Sequence, residues 1–113
     1  MNVTAQRLTV FSDPLHTVVY LLDGVFYTFF FQYSGREDRW YVDVLTESGE
    51  ALAHGLKLVQ GVSLLELVTD DRAPRGVLCV YPLIAGAGDP GLNDFVGDNA
   101  PCGLFYIAAS ELG

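Results

Sequence analysis

A glycine-rich hexapeptide that follows a strand-like run is the first segment whose spacing could carry chemistry. Residues 86–91 match G-x-G-x-x-G, the pattern that places the pyrophosphate of a dinucleotide at a helix N-terminus. That role requires a long helix after the pattern, and Pro90, Gly97 and Pro101 prevent one. Only 22 residues follow Gly91, too few for a crossover helix, a second strand and a ribose-binding acid. The pattern therefore predicts a flexible loop and no cofactor.

The same loop contains oxygen-bearing side chains that could be ligands of a calcium ion. They are Asp89, Asn93, Asp94, Asp98 and Asn99. Their spacing does not match the alternating ligands and fixed glycine of a calcium-binding loop, so we predict a solvated loop and no metal. Residues 85–101 nevertheless make a long loop for a small domain, and such loops are commonly functional or ordered at an interface.

The two histidines and two cysteines complete the set of reactive side chains. None of the close spacings of a zinc site joins His16, His54, Cys79 and Cys102. Neither a G-x-S-x-G elbow nor a recognisable nucleophilic cysteine signature occurs. Both cysteines lie in apolar, strand-like runs, so we expect small buried side chains, and a bridge between them stays open if their strands are neighbours. The sequence thus predicts no catalytic residues and no enzyme.

Most of the chain consists of short segments that are expected to be extended, and turn-forming residues separate them. Residues 17–22 and 25–32 flank Asp23-Gly24, a pair that readily takes the positive φ angles of a tight hairpin turn. In residues 39–46 the side chains alternate, so that Trp40, Val42 and Val44 share one face. Further strands are expected at 7–12, 51–54, 56–59, 76–84 and 102–108, with Gly55 as a break. Residues 62–68 fit a strand or one helical turn, and 90–95 fit a short helix.

This pattern predicts an all-β fold in one domain, residues 1–113. The expected architecture is a small antiparallel barrel or sandwich of about seven short strands. The apolar run 18–31 is cut by Asp23-Gly24 and is too short for a membrane-spanning helix. The first ten residues lack a basic segment followed by an apolar one, so we expect a soluble protein that is made inside the cell.

The overall charge and hydropathy restrict the partners of the chain. The net charge is −8 over 113 residues and the pI is near 4.3, which argues against binding a nucleic-acid backbone. Half of the residues are hydrophobic and the mean hydropathy is +0.31, so the chain holds more apolar surface than one small core hides. This excess favours burial against a partner or against copies of the same chain.

Aromatic side chains crowd two adjacent predicted strands, and they occupy both faces. One set fills the core and the other needs a cover, which favours a subunit interface, because aromatic residues are enriched there. A stacking platform for nucleic-acid bases would need interleaved basic residues, and only Arg36 and Arg39 are near. Together with the long loop, this predicts interface residues Phe26, Phe29, Phe31, Tyr33, Tyr41, Asp89, Pro90, Leu92 and Phe95.

The order of short motifs resembles that of one known family. After the hairpin come Arg39-Trp40-Tyr41-Val42-Asp43-Val44, Gly49-Glu50-Ala51-Leu52, Gly55-Leu56-Lys57-Leu58-Val59, Gly61-Val62-Ser63-Leu64-Leu65, Gly76-Val77-Leu78, Asp89-Pro90, Asp94, Gly97-Asp98 and Leu104-Phe105-Tyr106. Over residues 8–108 the chain resembles the small baseplate plug family of contractile-tailed phages, known from a cyanophage. The resemblance implies a virion protein at the centre of the baseplate, made in the host cytoplasm. It also implies contacts with the hub and the tail tube, several copies, and no catalytic residues.

An acidic surface agrees with such a place, since it repels DNA that passes through a tube. The alternative is a small β-sandwich that binds a carbohydrate or another ligand on exposed aromatic side chains. A self-associating chain favours the first interpretation, and a stable monomer with a glycan partner favours the second.

Overall fold

Seven strands in two antiparallel sheets form the fold in the computed structural model, which describes residues 5–109. The strands are β1 (Ala5–Leu8), β2 (Leu15–Leu22), β3 (Val25–Ser34), β4 (Arg39–Thr46), β5 (Ala51–Lys57), β6 (Val77–Pro82) and β7 (Cys102–Ile107). One sheet has the order β2-β3-β4-β5, and the other has the order β1-β7-β6. The all-β prediction is confirmed, and the unclosed sheets select the sandwich over the barrel.

The β2–β3 hairpin forms where the sequence predicts it. Asp23 and Gly24 have φ angles of 53° and 78°, the two positive values that a tight two-residue hairpin turn requires. The two strands then pair without interruption from Leu22–Val25 to Leu15–Gln32. This regular register decides which side chains of β2 and β3 face the core and which face outward.

The core lies between the two sheets and follows from the period-two alternation of the strands. On β4, the side chains of Trp40, Val42 and Val44 are all inaccessible to solvent, as their spacing predicts. Tyr27, Phe29 and Phe31 of β3 lie beside them on the same face. The other sheet contributes Leu78, Val80, Leu104 and Tyr106 to this cluster.

The break predicted at Gly55 is wrong, because β5 continues through that residue. Gly55 has a φ angle of +68° and its backbone N–H donates a 2.7 Å hydrogen bond to Asp43 Oδ1 on β4. The pairing of β4 with β5 shifts register on both sides of Val44. A β-bulge therefore absorbs the glycine, and the strand bends without ending.

Three other segment predictions also need correction. Residues 62–68 form turns, closed by hydrogen bonds from Glu66 N to Ser63 O and from Val68 N to Leu65 O. Residues 92–95 form another turn, so the short helix expected at 90–95 is absent from the described chain. The first strand spans residues 5–8 and not 7–12, since its pairing with β7 ends at Leu8.

A hydrogen-bonded tyrosine joins the two sheets at one end of the sandwich. The Tyr106 hydroxyl on β7 donates to Asp23 Oδ2 in the β2–β3 turn at 2.6 Å and accepts from Gly76 N at 2.8 Å. The backbone at Gly76 lies so close that a Cβ there would be 2.0 Å from the Ile107 carbonyl oxygen and 2.6 Å from the Tyr106 ring. Only glycine fits at this position.

Side chains from other elements hold the long loop between β6 and β7. The Gln60 amide donates to the carbonyls of Ala87 and Gly88 at 2.9 and 2.6 Å, and Gln60 N donates to Asp89 Oδ1 at 2.9 Å. The Trp40 indole N–H donates to the Gly91 carbonyl at 2.9 Å. The loop therefore has a defined path, although its composition predicts flexibility.

Two buried tyrosines predict that stability falls in alkali. Burial raises the pKa of Tyr20 above its ordinary value of 10.0, and burial with a hydrogen bond to Asp23 does the same for Tyr106. The unfolded chain loses these protons above pH 10 while the folded chain keeps them. The stabilisation is therefore complete below pH 10 and is lost as pH rises, by up to about 1.4 kcal/mol per pH unit for each group.

Urea unfolding at pH 8, 10 and 11 measures this loss. The chain is suited to the measurement because it has one lysine, a residue type that titrates in the same pH range as tyrosine. Tyr20→Phe is the matched variant, and its free energy of unfolding should fall less steeply than that of the wild type. Equal free energies at pH 8 and pH 11 would contradict the prediction.

Candidate interaction surface

The outward face of the hairpin is uncharged, although the chain carries a net charge of −8. We call it the β2–β3 face, and its residues are Leu15, Thr17, Val19 and Leu21 of β2 with Phe26, Thr28, Phe30 and Gln32 of β3. They share one face because directly paired residues of an antiparallel ladder point to the same side. The exposed fraction is 66% for Leu15, 54% for Val19, 48% for Leu21 and 49% for Phe26. Exposed apolar side chains grouped in this way are typical of interaction sites.

A polar cluster borders this face on β4 and β5. Asp43 is 8% exposed, and its carboxylate accepts hydrogen bonds from Gln32 Nε2 at 3.0 Å and from Gly55 N at 2.7 Å. His54 Nδ1 lies 2.9 Å from Asp43 Oδ1. Since the carboxylate is bonded to neighbours of its own chain, it orders the bulge of β5 and leaves the adjoining apolar face without a protruding charge.

The outward face of β6 and β7 in the second sheet is also largely apolar, with Arg7 of β1 at its border. Tyr81 of β6 is half-exposed and packs edge-to-face on Phe105 of β7, with the ring centroids 6.0 Å apart. The Phe105 ring covers Gly103, where a Cβ would lie 2.6 Å from the ring. Leu83 and Ile84 continue this patch into the loop and are each nearly half-exposed. The sandwich therefore presents apolar surface on both sides.

The two cysteines and Asp94 of the long loop are engaged in structural contacts. Both cysteines are free and buried, and burial raises the pKa of each thiol, which keeps it in the unreactive protonated form. In the long loop, the Asp94 carboxylate accepts from Gly91 N at 2.7 Å. Residues 5–109 contain no group of three or more His, Cys, Asp or Glu side chains that could hold a metal ion.

The nine side chains predicted as interface residues divide by their position in the fold. Phe26 is exposed, and Tyr33, Tyr41, Asp89 and Leu92 are half-buried. The other four are buried in the chain itself, namely Phe29, Phe31, Pro90 and Phe95. Buried side chains offer no surface to a partner, so of the nine predicted residues only Phe26 belongs to the β2–β3 face.

The sequence interpretation missed the aliphatic residues of β2, which are the most exposed part of the face. Leu15, Val19 and Leu21 alternate with the inward-facing residues Val18 and Tyr20. The sequence does contain the information that these β2 side chains face outward. It lies in the two-residue alternation of the strand, combined with the register that the Asp-Gly turn imposes on the hairpin.

A two-sheet β-sandwich with exposed apolar faces has the features of a structural protein that works within an assembly. A family model described as cyanophage baseplate Pam3 plug gp18 matches residues 6–108. The chain belongs to this family, and it is a structural component of a phage baseplate, hence of the virion. No curated protein matches the sequence. Within residues 5–109 no helix has the length and apolar character needed to cross a membrane.

Proposed function

We propose that this chain is the plug at the centre of a contractile-tail baseplate, where it contacts the hub and the tail tube. It associates there with further copies of itself, folds as a single domain and performs no catalysis. It is made in the host cytoplasm before assembly. The uncharged β2–β3 face is the observation that carries this proposal.

The energetics of that face favour a permanent protein partner. Burial of apolar surface contributes about 25 cal/mol per Å², and a chain that leaves Leu15, Val19, Leu21 and Phe26 in water forgoes that contribution. The absence of charge among all eight residues means that a partner covers the face without removing any ion from water. Membership of a baseplate plug family agrees with such a partner.

The exposed side chains also discriminate between the two candidate functions. Sugar rings stack on flat aromatic side chains, whereas three of the four exposed large hydrophobic residues of the β2–β3 face are aliphatic. Branched aliphatic side chains pack against complementary side chains of another protein. The face therefore supports an assembly role over carbohydrate binding.

The test of this proposal is a charge placed in the centre of the face. Thr28 is half-buried on β3 and points outward, so Thr28→Lys puts an ammonium group where a partner packs. We expect binding to the hub or the tail tube protein of the same phage to weaken at least about tenfold, because an unpaired charge would be buried. Pull-down from a co-expressed mixture and mass spectrometry of purified virions measure this change.

Thr69→Lys is the matched control, since it makes the same change at an exposed loop threonine away from the face. It should bind and enter virions as the wild type does. Full incorporation of Thr28→Lys, with an unchanged melting temperature, would overturn the proposed role of the face. Binding of a glycan by the wild type, with no binding to either tail protein, would favour the carbohydrate-binding function instead.

A further inference from the structure

The edge of β2 that faces away from β3 carries backbone groups with a regular, open pattern. The hydrogen bond from Tyr33 N to Pro14 O, at 2.7 Å, shows which residues bond across the hairpin. Because this bonding alternates along an antiparallel pair, the N–H and C=O groups of Leu15, Thr17, Val19 and Leu21 point away from β3. Gln6 Nε2 reaches the Leu21 carbonyl at 3.3 Å, which agrees with that direction. Residues 5–109 provide no other hydrogen bond to these eight groups.

The other edges of the two sheets are protected against pairing. A parallel bridge from Gln60 to Val80 and a 2.8 Å hydrogen bond from Leu64 N to Leu78 O cover the edge of β6. The β4–β5 pair is irregular, and β5 ends at a lysine. β1 has only four residues, of which one is an arginine. Short, charged, irregular or covered edges are the usual devices against strand pairing.

Within residues 5–109, β2 has none of these devices apart from the Gln6 contact at the Leu21 carbonyl. Its eight residues contain no Asp, Glu, Lys or Arg, no proline and no bulge. His16 points inward, where its ring stacks on Phe31 at 4.9 Å. An open edge of this length can pair with a strand of another chain and so promote aggregation. Natural proteins therefore rarely keep such an edge unless a partner covers it. The regular spacing of the open N–H and C=O groups of β2 matches an extended strand.

We propose that the occupant is β2 of a second copy of this chain, paired antiparallel about a two-fold axis at Val18. This inference rests on the proposed function, whose self-association it makes specific. In this register Leu15 lies opposite Leu21 of the second copy, and Thr17 lies opposite its Val19. The open N–H and C=O groups of all four residues of β2 then form hydrogen bonds with the second copy. The Gln6 amide leaves the Leu21 carbonyl to make room for this pairing. The two four-stranded sheets become one continuous sheet.

Charge and symmetry favour a second copy as the occupant. A two-fold contact brings identical surfaces together, so a charged residue close to the axis, at positions 17–19, would meet its own like charge or lie diagonal to it. The absence of Asp, Glu, Lys and Arg from β2 removes this repulsion, even between two chains of net charge −8. Val18, which is half-buried and points inward at the edge, meets the Val18 of the second copy and covers it.

The pairing is expected to be weak in isolation and to leave the β2–β3 face open. Edge pairing extends the sheet in its own plane, so the outward residues of both copies remain available to another protein. One strand pair also buries less than the roughly 1,600 Å² of a standard stable interface. Self-association and binding to other tail proteins therefore use separate groups and fail separately.

Amide hydrogen exchange at increasing protein concentration tests the pairing directly. The amides of Leu15, Thr17, Val19 and Leu21 should become protected as the dimer forms, while those of His16, Val18 and Tyr20 are protected at every concentration. Sedimentation equilibrium of the full chain gives the dissociation constant. We expect Thr17→Lys to raise it at least about tenfold, because a charge on the edge strand is introduced beside the axis.

Thr28→Lys is the comparison variant, since it places the same charge on the same face but one strand away from the edge. It should dimerise as the wild type does, and it should fail in binding tail proteins. If Thr28→Lys abolishes dimerisation and Thr17→Lys does not, the edge pairing is overturned. The two copies would then associate by stacking their β2–β3 faces. A wild type that stays monomeric at millimolar concentration would also overturn the edge pairing, as would protection of the four amides that is independent of concentration. None of these outcomes affects the binding test of the proposed function.

Discussion

The Trp40→Ala chain is expected to lose about 3–5 kcal/mol of its free energy of unfolding, the cost typical of emptying a large buried site. Trp40 is fully buried in the centre of the sandwich, where its ring meets Phe31 at a centroid distance of 6.3 Å and Tyr33 at 5.4 Å. Alanine removes these contacts and leaves a cavity between the sheets. The loss is a large share of the about 5–15 kcal/mol that stabilise a domain of this kind.

Trp40 also ties the long loop to the core, so the substitution has a second effect. The indole N–H donates to the Gly91 carbonyl at 2.9 Å, and no other side chain bonds that carbonyl within the described residues. Trp40→Phe helps to separate the two effects, since it keeps an aromatic ring in the core while it removes the hydrogen bond and one ring of the indole. We expect it to cost less than Trp40→Ala, about 1–3 kcal/mol.

Urea unfolding followed by far-UV circular dichroism measures both variants, because Trp40 is the single tryptophan and fluorescence is lost with it. Hydrogen exchange should show faster exchange in residues 88–95 of both variants. A free energy of unfolding for Trp40→Ala within 1 kcal/mol of the wild-type value, with unchanged exchange in the loop, would contradict this account of the core.

Adding one methyl group at Gly76 is expected to cost about 2–4 kcal/mol, from steric overlap and a lost hydrogen bond. The Cβ of Gly76→Ala would lie 2.0 Å from the Ile107 carbonyl oxygen, and backbone at that distance has to move. The Gly76 N–H also donates to the Tyr106 hydroxyl, which in turn holds Asp23. The shift therefore reaches the hairpin turn at the other sheet.

Gly88→Ala is the matched control, because a Cβ there meets nothing within 4 Å and the backbone has no positive φ. Its free energy of unfolding should stay within about 0.5–1 kcal/mol of the wild-type value. Thermal unfolding and the chemical shift of the Asp23 amide distinguish the two variants. If Gly76→Ala is as stable as Gly88→Ala, the close packing between β6 and β7 is not a constraint on the fold.

Local signals were sufficient for the strands that the sequence located well. The Asp23-Gly24 pair determines its own turn, and the alternation of residues 39–46 gives β4 with the bounds observed. Such features depend on neighbours in the chain, so they are readable without the fold. The choice of sandwich over barrel depends on which distant strands pair, as β1 and β6 do with β7, and no local pattern encodes that.

The errors arise from the pairing between strands, which the residue types of a single segment do not show. Gly55 reads as a strand break, but the Asp43 carboxylate holds it in a bulge. The aromatic content of the segment predicts Phe29 and Phe31 as interface residues. The register of the hairpin instead places both side chains in the core. The exposed face was predictable in kind from an excess of apolar residues, whereas its members on β2 follow only when the alternation of that strand is combined with the register of the hairpin.

The bonds that Gln60 makes to the loop between β6 and β7 have a consequence for how quickly and how tightly the protein associates. Because this side chain fixes the carbonyls of Ala87 and Gly88, the entropy lost in ordering the loop is lost when the chain folds. A partner that later touches the loop meets a surface already in its final shape, and its affinity is not diminished by a search among conformations. In a particle assembled from many components, a subunit whose contact loop is already ordered binds its neighbours without a separate ordering step.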